Sequence, residues 1–160
     1  TMQRLKDIEK LPIDDKQNIL FKNLQTNKKV YESVNEAKIA YQRAYAPYSK
    51  FHVGAAALSD NNHVHKGCHV ENASYGLTVC AERNCIAQAV INGEQQFKTL
   101  VIYTEQEKLT PPCGACRQVL AEFMPSNGTV SSTNHLGDIV TWRVDELLPH
   151  AFLKSSLLSK

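Results

Sequence analysis

The spacing of apolar positions changes several times along the chain, and each change predicts an element. Val30, Val34, Ala37, Tyr41 and Ala44 recur at three- and four-residue steps, which marks one face of a helix. Pro47 stops that helix. Phe51 to Leu58 (FHVGAAAL) is small and apolar and predicts a strand. Ser59-Asp60-Asn61-Asn62 reads as a turn and His63 to Val70 as the returning strand, so the pair is a hairpin. Val79 to Ile91 predicts a helix ended by Asn92-Gly93. Leu100 to Tyr103 reads as a short buried strand. Cys113 to Met124 reads as a second helix with Pro111-Pro112 ahead of it. Weaker strands are expected at Thr129 to Ser132 and Asp138 to Thr141, with a last helical piece from Val144 to Leu148. A hairpin followed by alternating helices and strands predicts a mixed sheet between helices, its later strands parallel.

The first 29 residues fit this pattern poorly. They are polar, Leu11-Pro12 breaks them, and Asp14 or Asp15 offers a start for a short helix through Ile19, Leu20, Phe21 and Leu24. Residues 1–29 therefore read as a partly helical N-terminal extension, and residues 30–160 as the single folded domain. Thr1 precedes Met2, and Met2 reads as the native start.

Composition narrows the class of function. A chain of 160 residues with 42% hydrophobic residues buries a core without disulfide staples. The formal net charge is +2 and no dense Lys/Arg run appears, so no nucleic-acid partner is expected. No apolar run approaches spanning length, so no membrane partner is expected either. The N-terminus lacks a signal-peptide core, which predicts a cytoplasmic protein. The glycosylation patterns at Asn72 and Asn127 then carry no meaning.

Five cysteines, an odd number, speak against a disulfide framework and for metal or thiolate chemistry. Cys80-Ala81-Glu82 opens one predicted helix and Pro112-Cys113-Gly114-Ala115-Cys116 opens the other. Cys80, Cys113 and Cys116 together make a three-thiolate zinc site whose fourth position stays open for water, the arrangement of a catalytic centre. Glu82, two residues past Cys80, can face that water without ligating the metal. A helix start favours a thiolate through its dipole and free N–H groups. Three thiolates on Zn²⁺ leave a net charge of minus one, and Arg83 and Arg117 are the candidates to offset it. A lone C-x-x-C also serves structural zinc knuckles and redox pairs. A structural site wants a fourth ligand, and Cys85 is rotated away from Cys80 on the same helix. Cys68 sits on a predicted strand from which it could reach the metal, but both Cys68 and Cys85 read as buried, inert thiols.

The blocks Tyr45 to Ala57 (YAPYSKFHVGAAA), Gly67 to Arg83 (GCHVENASYGLTVCAER), Pro112 to Leu120 (PCGACRQVL) and Glu146 to Phe152 (ELLPHAF) resemble the cytidine deaminases of the short, homotetrameric type. The resemblance covers about residues 30 to 153. It implies a three-layer α/β/α sandwich around a five-stranded mixed sheet, and a homotetramer with shared active sites. It implies that Cys80, Cys113 and Cys116 hold zinc and that Glu82 shuttles protons. It further implies that Phe51 packs near the pyrimidine, that Glu71 accepts from a ribose hydroxyl, and that Ala73 offers backbone groups to the base. Tyr75 and Phe152 would reach the site of a neighbouring subunit, and Arg83 would hydrogen-bond the ligand thiolates. One position departs: His69-Val70-Glu71 stands where the family usually has Asn-x-Glu. His69 would replace the asparagine as donor to the 3′-hydroxyl.

The implied activity is hydrolysis of the cyclic amidine C–N bond of a free pyrimidine nucleoside. Cytidine and 2′-deoxycytidine would give uridine and 2′-deoxyuridine plus ammonia, in pyrimidine salvage. Zinc hydroxide would attack C4 while Glu82 carries protons to N3 and the leaving amine. Deamination of blasticidin or modified cytidines keeps the same chemistry, and His69 leaves it open. Nucleic-acid editing would need a basic channel and stacking aromatics. A zinc-stabilised binding module without catalysis is the third alternative.

Overall fold

The structure is a computed structural model that describes the backbone of residues 13–158 and the side chains of residues 28–158. The Leu11-Pro12 break lies outside the described residues. Helix α1 (Ile13–Gln42) is one element, although the sequence pattern suggests two. It contains neither Gly nor Pro, so nothing interrupts its backbone hydrogen bonds where the apolar period fades. It ends short of Pro47. The chain divides into two compact units at Tyr31/Glu32. The described backbone of the first unit is helical.

The second unit holds a five-stranded sheet in the order β2-β1-β3-β4-β5. The strands are β1 (Gly54–Ser59), β2 (Val64–Cys68), β3 (Phe97–Thr104), β4 (Thr129–Asn134) and β5 (Ile139–Arg143). β1 pairs antiparallel with β2 and β3, β3 pairs parallel with β4, and β4 pairs antiparallel with β5. The parallel expectation thus holds for one pair, the one whose crossover carries a helix. Helices α2 (Ala81–Ile91) and α3 (Gly114–Phe123) follow β2 and β3, and two short helices, α4 (Val144–Leu147) and α5 (Lys154–Leu158), close the chain.

Strand alternation splits the core into two layers. Ala55, Ala57, Leu100, Ile102 and Val130 pack with Cys85, Ile86 and Ala89 of α2 and Leu120 of α3. Ala56, Val101 and Tyr103 face the opposite way and pack with Val34, Ala37 and Tyr41 of α1. The result is the expected three-layer α/β/α sandwich. Two glycines let helices sit close on the sheet. A Cβ on Gly54 would lie 2.0 Å from the Ala37 carbonyl, and one on Gly67 would lie 2.2 Å from the Cys85 nitrogen. Through Gly67, the first turns of α2 settle directly against β2. Among the described residues no helix is long and apolar enough to cross a membrane.

Candidate active site

The N-termini of α2 and α3 meet, and they carry the cysteines with them. Cys80 is the N-cap of α2 and Cys113 the N-cap of α3, both in extended backbone and neither spending its side chain on a capping bond. Their sulfurs are therefore free to face each other. Cys116 lies on the first turn of α3, buried. The ligand sulfurs of Cys80, Cys113 and Cys116 all lie within 4.8 Å of one another. Tetrahedral Zn–S bonds of about 2.3 Å hold two sulfurs about 3.8 Å apart, and Cys80 Sγ and Cys113 Sγ are 3.8 Å apart. The donor set and its spacing fit a zinc ion held by three protein ligands.

The surroundings favour a thiolate at Cys80. Hydrogen bonding from Cys116, then from Arg83 and Cys113, pulls the Cys80 thiol well below its ordinary range. Cys116, the donor of that pair, moves the other way. Arg83 Nη2 donates to Cys80 Sγ at 3.6 Å. Arg117 does something else. It donates from Nε to the Pro112 carbonyl at 2.8 Å and from Nη1 to the Leu147 carbonyl at 3.0 Å. It ties the loop before α3 to α4, so only Arg83 of the two candidates touches a thiol among these contacts.

Glu82 is 5% exposed in the first turn of α2. Burial raises its carboxyl above the ordinary range, partly offset by a hydrogen bond with Cys116, and the neighbouring Cys80 charge raises it further. A carboxyl raised in this way holds a proton more readily than an ordinary one, which suits a group that must take and return protons. Cys85 and Cys68 stand apart from the metal cluster. Cys85 is buried, donates to the His65 carbonyl, and burial pushes its thiol up to about 12. Cys68 contacts the Arg43 carbonyl at 3.7 Å.

Beside these helices, the strand end after β2 is held by the loop that follows α1. The Tyr45 N–H donates to the His69 carbonyl, and the Glu71 N–H donates to the Tyr45 carbonyl. The side chain of Glu71 then reaches into that loop. Its Oε1 accepts from the Tyr48 and Ser49 N–H groups at 3.0 and 3.1 Å. Its Oε2 accepts from the Ser49 hydroxyl and pairs with His69 Nε2 at 3.0 Å. These bonds, Ser49's first, hold the Glu71 carboxyl down to about 2. The sequence reading singled out Glu71 and His69 but assigned nothing to Tyr48 or Ser49. The only trace of them was their place in the YAPYSKF block.

Phe51 is half-buried against the α2/α3 side of the core. Ala73 is exposed in a turn that Asn72 Oδ1 braces by accepting from the Ser74 N–H at 2.8 Å. Tyr75 is 74% exposed, its ring 5.7 Å from that of Tyr48. Phe152 is 59% exposed, and its carbonyl accepts from Gln118 Nε2. Within one chain, then, the cysteines, Glu82 and Arg83 come together, while Tyr75 and Phe152 point to the surface.

Residues 27–131 match the family model described as the cytidine and deoxycytidylate deaminase zinc-binding region. The chain is 45% identical over 128 residues to a cytidine deaminase of Sporosarcina psychrophila, covering 80% of this chain and 94% of that protein. It is also 45% identical over 119 residues to a cytidine deaminase of Halalkalibacterium halodurans, covering 74% of this chain and 90% of that one. A crystal structure of cytidine deaminase from Burkholderia pseudomallei superposes with a TM-score of 0.73 at 42% identity, covering 76% of this chain and 98% of that one. With a zinc-binding-region match over most of its length and a three-cysteine cluster able to hold a metal ion, this chain belongs to the cytidine deaminase family and is an enzyme of that family.

Proposed function

We propose that this enzyme hydrolyses cytidine and 2′-deoxycytidine to uridine and 2′-deoxyuridine, releasing ammonia, as a step of pyrimidine salvage. The observation that carries this reading is the buried Glu82 carboxyl in contact with a thiol cluster spaced for zinc. Cys80, Cys113 and Cys116 would hold the ion. Zinc so held supplies an acidified water as nucleophile and keeps one coordination position free of protein.

The chain's own groups do the rest. Glu82 takes a proton from the attacking water and places it on ring N3, which makes C4 electrophilic. The hydroxyl oxygen bonds to C4, and Glu82 then moves that oxygen's remaining proton to the exocyclic nitrogen. The C4–N bond breaks, ammonia leaves, and the carbonyl of uridine remains. A raised carboxyl pKa suits this double duty, because the group must gain and lose a proton in each turnover. Arg83 offsets the charge of the thiolates. Phe51 packs on the pyrimidine, Ala73 offers backbone groups to the base, and Glu71 with His69 stands on the sugar side.

Tyr75 and Phe152 would complete the site of a neighbouring subunit in a homotetramer. Their exposure supports this, because a large aromatic left at the surface of one chain is available to another. Five free cysteines, three of them metal ligands, support a reducing compartment such as the cytoplasm. Residues 30–160 would carry the activity, with residues 1–29 as an extension to it. The start of the family match at residue 27 supports that boundary.

A substrate panel tests the reading. Cytidine, deoxycytidine, CMP, cytosine, blasticidin S and an N4-modified cytidine are offered separately, and uridine-type product and ammonia are measured. Turnover of the two plain nucleosides above the rest is expected. Turnover of blasticidin S alone would contradict it.

A further inference from the structure

Strand β2 lies at the edge of the sheet, and its antiparallel ladder turns alternate residues toward β1. The Ser59 N–H donates to the His63 carbonyl and the His69 N–H to the Val53 carbonyl, so the odd-numbered positions face β1. The Cys68 carbonyl therefore faces away from the sheet. Asn84, half-buried on α2, covers it: Nδ2 donates to the Cys68 carbonyl at 2.9 Å. The same amide nitrogen carries a second proton and reaches the Val79 carbonyl at 3.4 Å. The backbone N–H of Asn84 donates to the Cys80 carbonyl at 3.1 Å.

The Val79 and Cys80 carbonyls belong to the two peptide groups on either side of the Cys80 Cα. A peptide group is planar, so a bond to its carbonyl restrains the whole plane. Holding both planes restrains the two backbone dihedrals of Cys80, and with them the direction of its Cα–Cβ bond. Val79 also exchanges both backbone hydrogen bonds with Val70, two residues beyond Cys68. Any residue but proline at position 84 would make the backbone bond to Cys80. The two side-chain bonds need a short side chain with two protons on one atom. Helix propensity does not account for this choice, because asparagine is a poorer helix former than alanine.

We propose that Asn84 is a positioning residue of the metal centre: its amide ties the peptide ahead of Cys80 to the end of β2 and so fixes how Cys80 presents its sulfur to the ion. The inference rests on the proposed function only in that Cys80 holds zinc. Asn84 acts through Cys80.

Zinc affinity, read by competition with a chromogenic chelator, and the thiolate absorption bands of the cobalt(II)-loaded chain test this. Asn84→Ala keeps the backbone bond, removes both side-chain bonds and puts a better helix former into α2. It is expected to weaken zinc binding at least about tenfold, the loss typical of a group that supports a metal ligand, and to shift the cobalt bands. Asn92→Ala is the control. It removes an amide-to-carbonyl bond at the other end of the same helix, from Nδ2 to the Gln88 carbonyl at 2.8 Å, and is expected to leave both readings unchanged. Asn84→Leu, close to asparagine in volume, takes the place of the alanine variant if that chain does not fold. Wild-type zinc affinity and cobalt bands in a folded Asn84 variant overturn the inference, as does an equal loss in Asn92→Ala. A wild type that binds no zinc overturns it together with the proposed function. If the wild type turns over no nucleoside while the zinc loss at Asn84 is found, the inference stands and the proposed activity falls.

Discussion

Arg83 Nη2 lies 3.6 Å from Cys80 Sγ, and both residues sit at the start of α2. The guanidinium places a fixed positive charge against the thiol whose ordinary range it helps to depress. Arg117, next to the other motif, donates instead to the carbonyls of Pro112 and Leu147. The two arginines should therefore separate in experiment. Arg83→Gln should weaken zinc binding by about 10–100-fold, as loss of a group supporting metal ligands does. Competition with a chromogenic chelator reads this. Arg117→Ala should keep its zinc and lose about 1–3 kcal/mol of stability.

Glu82→Gln keeps the shape of the side chain and removes its titratable group. Because Glu82 is not among the ligating residues, the variant should fold, retain zinc and still bind nucleoside. Ammonia release should fall by at least about a thousandfold, toward the upper range for a general acid/base, since the group acts more than once per turnover. Near-native turnover would mean that another group carries the proton.

Glu71 makes a prediction about acid. Its folded pKa of about 2 lies below its ordinary value of 4.5, so the folded state favours the ionised form. The stability this supplies is present above about pH 5 and is lost as pH falls toward 2. Thermal melts of the wild type should therefore drop over that window. Glu71→Gln should be less stable at neutral pH and show a shallower acid slope. Equal slopes would mean that other carboxylates control acid unfolding.

The pairing of Cys80-Ala81-Glu82 with Pro112-Cys113-Gly114-Ala115-Cys116 made the metal cluster legible from sequence, because both motifs had to open helices to work. Helices α2 and α3 and the β1–β2 hairpin were legible from their end and turn signals, Asn92-Gly93, Pro111-Pro112 and Ser59-Asp60-Asn61-Asn62. Other features depend on contacts that sequence spacing does not carry. Arg83 and Arg117 look equivalent in the chain, and only the positions of Pro112 and Leu147 tell them apart. Three of the hydrogen bonds to Glu71 come from residues 22 and 23 positions upstream. Strand β4 (TVSSTN) was weak in the sequence because it is polar, yet it is largely buried. Its side chains find partners across the sheet, with Ser131 bonded to Thr141 and Thr129 to Thr99. The long α1 read as two helical pieces because its apolar period fades between them, where neither Gly nor Pro breaks the chain.

Zinc content and ammonia release, measured together on the Cys113→Ser chain, test the central claim most directly. The wild type should hold one zinc per chain and release one ammonia for each uridine formed. If Cys80, Cys113 and Cys116 form the catalytic centre, Cys113→Ser should lose both the metal and the turnover while its fold remains. Full zinc with full turnover in that variant would contradict the account.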